Sequence, residues 1–109
     1  MSDRDARLLV DDIVHAADKI LHYTAGMDLN QFTLDEKTVD AVVRNFEIIG
    51  EASNRLPKDF KLRHTEIPWR RMVGFRNRII HDYFGIDHSI VWTIIGRDLP
   101  QLLESLRRI

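Results

Sequence analysis

The stretch RNRIIHDYF, residues 76–84, gathers Arg76, Asn77, Arg78, His81 and Tyr83 into a segment that otherwise has the apolar rhythm of a buried helix. Histidine has an unperturbed pKa of about 6.5 and can give or take a proton near neutrality. Arginine presents a planar fork of donors that matches phosphate oxygens and can stabilise charge developing at phosphorus. Together the two suit metal-independent cleavage of an RNA linkage, in which the 2'-hydroxyl attacks the adjacent phosphate; DNA lacks that internal nucleophile. One histidine is short of an acid and base pair, but a symmetric dimer juxtaposing two copies of the segment would supply two. Residue types alone leave plainer roles open: His81 as an interface histidine, Arg76 as an ion-pair partner of Glu47 or Glu51, Asn77 as a local hydrogen-bonding group, and Tyr83 as a core ring.

The positions of these groups depend on the helix that carries them. The apolar spacing predicts a helix from about Pro68 to Phe84, with Pro68 at its start, where a missing amide proton costs nothing, and Gly85 supplying the C-terminal turn. With Arg76 at zero on a helical wheel, Met72, Val73, Phe75, Ile79, Ile80 and Phe84 spread to either side of it. Arg76 is thus central on an apolar face, and a guanidinium there requires a carboxylate or a cleft that admits phosphate. Arg70, Asn77 and His81 fall on one flank, at about 100–140 degrees, with Gly74 beside them.

Three other helical stretches are expected around this one. The first runs from about Asp3 to Thr24 on the stripe Leu9, Ile13, Ala16, Ala17 and Ile20, ending at Gly26. In a second, Thr33 and Glu36 form a capping box, followed by Val39, Val42, Val43, Phe46 and Ile49 as far as Pro57; Gly50 lies within that stripe. Residues 57–67 read as a basic connector in which His64 is a minor substrate-contact candidate. Asp87 caps a last stretch containing Ile90, Val91, Ile94 and Ile95, after which either Asp98 caps a further helix or Pro100 kinks the existing one. His15 with Asp11 or Asp18 is a weak metal suggestion.

Composition narrows the alternatives. The 109 residues suit one domain spanning 1–109. Cysteine is absent, so disulfides, thiol nucleophiles and thiolate metal sites are excluded. No long apolar run suggests a membrane span, and the acidic start MSDRDARLLVDD does not read as a signal peptide, so a cytoplasmic protein is expected. The formal charge is -1, yet residues 55–81 carry eight basic and two acidic side chains, whereas 1–54 carry five and eleven. The basic segment includes Arg70, Arg71 and Arg78, which become candidate RNA contacts.

RNRIIHDYF resembles the R-x4-H-x-Y signature of the HepT-like branch of the HEPN superfamily. RNFEIIGEASNRLP, IPWRRMVGFRNRIIHDYFGID and VWTIIGRDLPQLLESL extend that resemblance over nearly the whole chain. It implies an all-α, antiparallel four- to five-helix bundle that forms a homodimer, and a metal-independent endoribonuclease without a cofactor. Such proteins act as toxins of type VII-like toxin–antitoxin modules, paired with a minimal nucleotidyltransferase antitoxin. The resemblance puts the family's arginine on Arg76, its following polar residue on Asn77, its histidine on His81 and its AMP-accepting tyrosine on Tyr83. The competing expectation is a non-catalytic helical dimer that binds nucleotide, RNA or the nucleotidyltransferase.

Overall fold

Ser2 starts the first helix by a reciprocal pair of bonds: its hydroxyl accepts from the Asp5 amide at 3.1 Å, and its own amide donates to the Asp5 carboxylate at 3.4 Å. The computed structural model describes residues 2–84 and 88–109; the side chains of residue 76 and of residues 80–84 fall outside that description. α1 (Asp3–Thr24) buries Leu9, Ile13, Ala16, Ala17 and Ile20, the stripe read from the sequence. Gly26 follows at φ 79°, the left-handed conformation that glycine adopts without a Cβ penalty.

The next helix boundary differs from the expected one. A short α2 (Leu29–Leu34) occupies the supposed loop, capped by Asp28 and Gln31, which exchange side-chain-to-amide bonds of 2.8 and 2.9 Å. Thr33 lies inside α2, and its hydroxyl donates back to the Leu29 carbonyl at 2.9 Å, so it caps nothing. Asp35 instead caps α3 (Glu36–Arg55), accepting from the Thr38 amide at 3.1 Å. That bond favours the charged carboxylate and holds the Asp35 pKa below its ordinary value. α2 is held by Phe32, which is fully buried with its ring 5.2 Å from that of Trp92.

The basic connector also contains a helix, α4 (Lys58–Arg63), anchored by buried Phe60. Buried Ile67 then leads through Pro68 into α5 (Trp69–Phe84). The last rod comprises α6 (Ser89–Thr93), a π-helical turn (Ile94–Asp98) and α7 (Leu99–Arg107). Asp98 makes no side-chain cap bond, and Thr93, Ile94, Asp98 and Leu99 all keep right-handed helical backbone angles, so the disturbance takes the form of a wide turn just before Pro100. Pro100 lacks the amide proton that an α-helix would direct at Gly96. The chain winds wide there, and the Leu99 amide reaches Ile94, five residues back. The expected Asp87 cap and Gly85 turn lie outside the described residues.

The architecture is an all-α bundle. α3 packs against both α1 and α5, while α7 closes on α1. Val42, Phe46 and Ile49 are fully buried on α3, with Phe46 edge-on to Phe75 of α5, and Gly50 is buried within the same stripe. Two surface contacts tie α7 back to α1: Arg107 Nη2 to both Asp18 carboxylate oxygens at 2.8 and 2.9 Å, and Arg7 to the Ile109 carbonyl at 2.7 Å. Exposed pairs of this kind contribute little beside the core. The Arg107 contact also engages Asp18, one of the suggested metal ligands. Among the described residues no helix is long and apolar enough to cross a membrane.

Candidate functional site

α5 begins where Pro68 offers its carbonyl to the Met72 amide at 3.1 Å, the first bond of the helical ladder. Met72, Phe75 and Ile79 then recur every three or four residues, each no more than 1% exposed. This spacing and burial fix α5 in rotation against α3, with the Phe75 ring edge-on to Phe46 at 5.7 Å between centroids. Arg76 occupies the register position bracketed by these three buried residues. His81 is five residues further on and Tyr83 two beyond that, all within the same helix. The side chains of Arg76, His81 and Tyr83, and with them the suggested pairing of Arg76 with Glu47 or Glu51, lie outside the described residues.

The remaining candidates are described. Asn77 and Arg78 are exposed, as are Arg70 and Arg71 at the start of α5. Asn77 stands four positions before His81, which puts the two on one flank of the helix. A methyl group added at Gly74 would meet nothing within 4 Å, so that flank is open beside it. On α3, half-buried Glu47 is 3.6 Å from Arg44, one turn before it, and Glu51 is exposed.

Arg71 has a partner that spacing did not suggest. Its Nη2 is 3.6 Å from Oδ1 of Asp98, and the same carboxylate oxygen is 3.4 Å from Arg97 Nε. The Asp98 side chain is only 6% exposed, so the π turn carries a buried anion directed at two guanidiniums. This contact divides Arg71 between a structural role and any role toward phosphate, leaving Arg70 and Arg78 as the less encumbered cations of α5. The one sequence signal was an acidic residue amid Ile94, Ile95 and Leu99.

His64 is committed locally. Its ring lies 4.8 Å from that of Phe60, its Nδ1 is 3.7 Å from a Glu66 carboxylate oxygen, and its carbonyl accepts from Trp69 Nε1 at 2.9 Å. These contacts stitch the end of α4 to the start of α5. Beside them an open groove of about 890 Å³ runs between the two helices, with Lys58, Lys61, Arg70 and Arg71 on its walls. Among the described residues no cluster of three or more histidine or acidic side chains could hold a metal ion.

The arrangement is a helix seated by its apolar face, with the Asn77 amide on one flank, in the same register as position 81, and Arg70, Arg71 and Arg78 exposed along it. Comparison with known proteins gives a concordant result. The family model described as "HepT-like: Ribonuclease HepT-like" matches residues 13–109. A provisionally named ribonuclease HepT of Thermococcus cleftensis is 43% identical over 102 residues, covering 91% of this chain and 93% of its own. The provisionally named RNase MJ1380 of Methanocaldococcus jannaschii is 40% identical over 106 residues, 97% of each chain. No solved structure matches the chain.

Proposed function

Because the chain belongs to the HepT-like ribonuclease family of the HEPN superfamily, we propose that it is a metal-independent endoribonuclease whose active groups are Arg76, Asn77 and His81. The observation that carries this reading is one unbroken helix, Trp69–Phe84, seated by Met72, Phe75 and Ile79 and bearing the whole family signature at fixed register. Such a helix presents its polar groups with little freedom to drift, as proton transfer at a phosphate demands.

In the proposed reaction a neutral imidazole takes the 2'-hydroxyl proton as O2' bonds to phosphorus. A protonated imidazole gives a proton to the departing O5', leaving a 2',3'-cyclic phosphate and a 5'-hydroxyl. Two copies of His81, one from each protomer of a homodimer, fill the two roles. Arg76 clamps the phosphate and offsets the charge that builds on its oxygens, and Asn77 orients the linkage. Arg70 and Arg78 hold neighbouring phosphates, with Arg71 contributing what its contact with Asp98 leaves free. In this scheme residues 1–109 act as a single domain, and neither a metal nor a cofactor takes part.

The test is direct. Protein kept in excess chelator is expected to cut a single-stranded RNA and leave ends that resist a 3'-phosphate-specific ligation until the cyclic phosphate is opened. Cleavage that requires an added divalent ion, or that leaves a free 3'-hydroxyl, would overturn the mechanism.

The same reading makes the protein the toxin of a two-component module restrained by a minimal nucleotidyltransferase. Tyr83, two positions past His81, is the proposed acceptor of AMP: its phenolic oxygen attacks the α-phosphorus of ATP, loses its proton and releases pyrophosphate. The added phosphate would bring negative charge beside a site built to attract it and repel RNA. Incubation with the nucleotidyltransferase and ATP is expected to add one AMP per chain, located at Tyr83 by peptide mass spectrometry, and to suppress cleavage. A chain that stays unmodified, or cuts equally well once modified, argues against this control.

A further inference from the structure

The groove between α4 and α5 has a character of its own. Among the described residues four cations line it, Lys58, Lys61, Arg70 and Arg71, and no carboxylate does. Lys58, Lys61 and Arg70 form no salt bridge with another described residue, whereas Arg71 leans on Asp98. The surface between them is apolar, with Leu62 64% exposed and Val73 half-buried. On α5, positions 70, 73, 77 and 81 fall within an arc of about 80 degrees. They follow about 16 Å of helix axis. Arg70 and Val73 of the groove therefore share one strip of the helix with Asn77 and the register position of His81.

We propose that this groove seats the single-stranded RNA on one side of the cut, extending the active site by a few nucleotides toward the N-terminal end of α5. The proposal rests on the ribonuclease reading and adds where the flanking strand lies. Lys58, Lys61 and Arg70 meet successive phosphates, and the Leu62–Val73 surface takes the faces of unpaired bases or sugars. A strand is favoured over an acidic protein segment because the groove is open along its length, with cations spread around an apolar floor. Unpaired RNA is favoured over duplex because only splayed bases reach such a floor. Trp69 is 92% buried, its indole N–H already donated to His64, so it offers no open ring for stacking. Contact along the groove is consequently sequence-tolerant.

The experiment uses the full chain and synthetic oligonucleotides with one ribonucleotide in an otherwise 2'-deoxy strand, lengthened separately on the 5' and 3' sides of the cleavable linkage. For the wild type, kcat/KM is expected to rise with length on one side only. In the double variant Lys58→Gln, Lys61→Gln most of that rise should disappear. The slope of log affinity against log salt should also fall by about 1.4, two phosphate contacts at about 0.7 each. Lys58 is exposed and Lys61 half-buried on the groove wall, and glutamine keeps most of the lysine stem, so helicity should be unchanged, as circular dichroism can verify. A wild type that cuts nothing removes the underlying ribonuclease reading. A wild type that cuts, with the same length dependence in both proteins, overturns the groove assignment alone. Unaltered length dependence together with weakened self-association overturns it in favour of a second copy of the chain.

Discussion

Replacing His81 with Ala is expected to slow RNA cleavage by about 10²–10⁴-fold, the usual worth of a positioned acid or base. Alanine is the strongest helix former, and His81 lies within the ladder of α5, so helix content should persist. The variant should still bind RNA, because sequence-independent affinity comes from cations along the helix and not from the imidazole. Single-turnover cleavage and binding measured on one substrate separate the two effects: the rate should collapse while the dissociation constant stays nearly constant. Arg76→Lys sharpens the assignment. It keeps the charge but loses the planar fork, and much of the roughly 10²–10³-fold worth of a transition-state donor should go with it. Wild-type cleavage by His81→Ala would sink the mechanism, and an Arg76→Lys enzyme of full activity would reduce Arg76 to a point charge.

The largest expected loss of stability lies one residue before the signature. Phe75→Ala empties a site that is 1% exposed and removes the edge-on contact with Phe46 across the α3–α5 seam. Burial lost and cavity left should together cost about 3–5 kcal/mol. Against a total of about 5–15 kcal/mol for a typical domain, that is a large share. At about 4–8 °C per kcal/mol, the thermal midpoint should fall by more than about 12 °C. Phe75→Leu keeps most of the volume and should lose far less. A midpoint in Phe75→Ala within about 4 °C of the wild type would mean that this seam carries little of the stability. The two substitutions separate chemistry from support: His81→Ala leaves a folded, slow protein, whereas Phe75→Ala loosens the helix that carries the chemistry.

Long amphipathic helices were legible without coordinates. α1, α3 and α5 announce themselves because five or six apolar positions recur at 3.6-residue spacing; α1 and α3 bury the residues that spacing selects, and α5 buries Met72, Phe75 and Ile79 while Val73 stays half-buried. α2 and α4, six residues each, are too short to show a period and bury only Phe32 and Phe60. Their existence depends on a pocket that the rest of the chain builds. The misplaced cap has a local cause: Thr33 and Glu36 fit the capping spacing, but Asp28 with Gln31 and Asp35 with Thr38 claim the two starts on either side. For the site, the signature and its register on α5 were readable from residue types and the helical wheel. The groove was not, since its walls come from α4, the following loop and α5, and only tertiary packing brings those together. Nor was the contact between Arg71 and Asp98, which depends on how the π turn aims a side chain.

That turn has a consequence for how the chain tolerates shortening. By bonding Leu99 to Ile94 it absorbs one residue more than an α-helical turn would hold, so the phase of everything downstream is offset by one position. Deleting one residue between 94 and 98 should therefore leave Leu102, Leu103 and Leu106 facing α1, because the wide turn already sets them where a regular helix one residue shorter would. Inserting one residue there would instead turn the three leucines by about 100 degrees away from that surface, so the rod tolerates loss at this place better than gain.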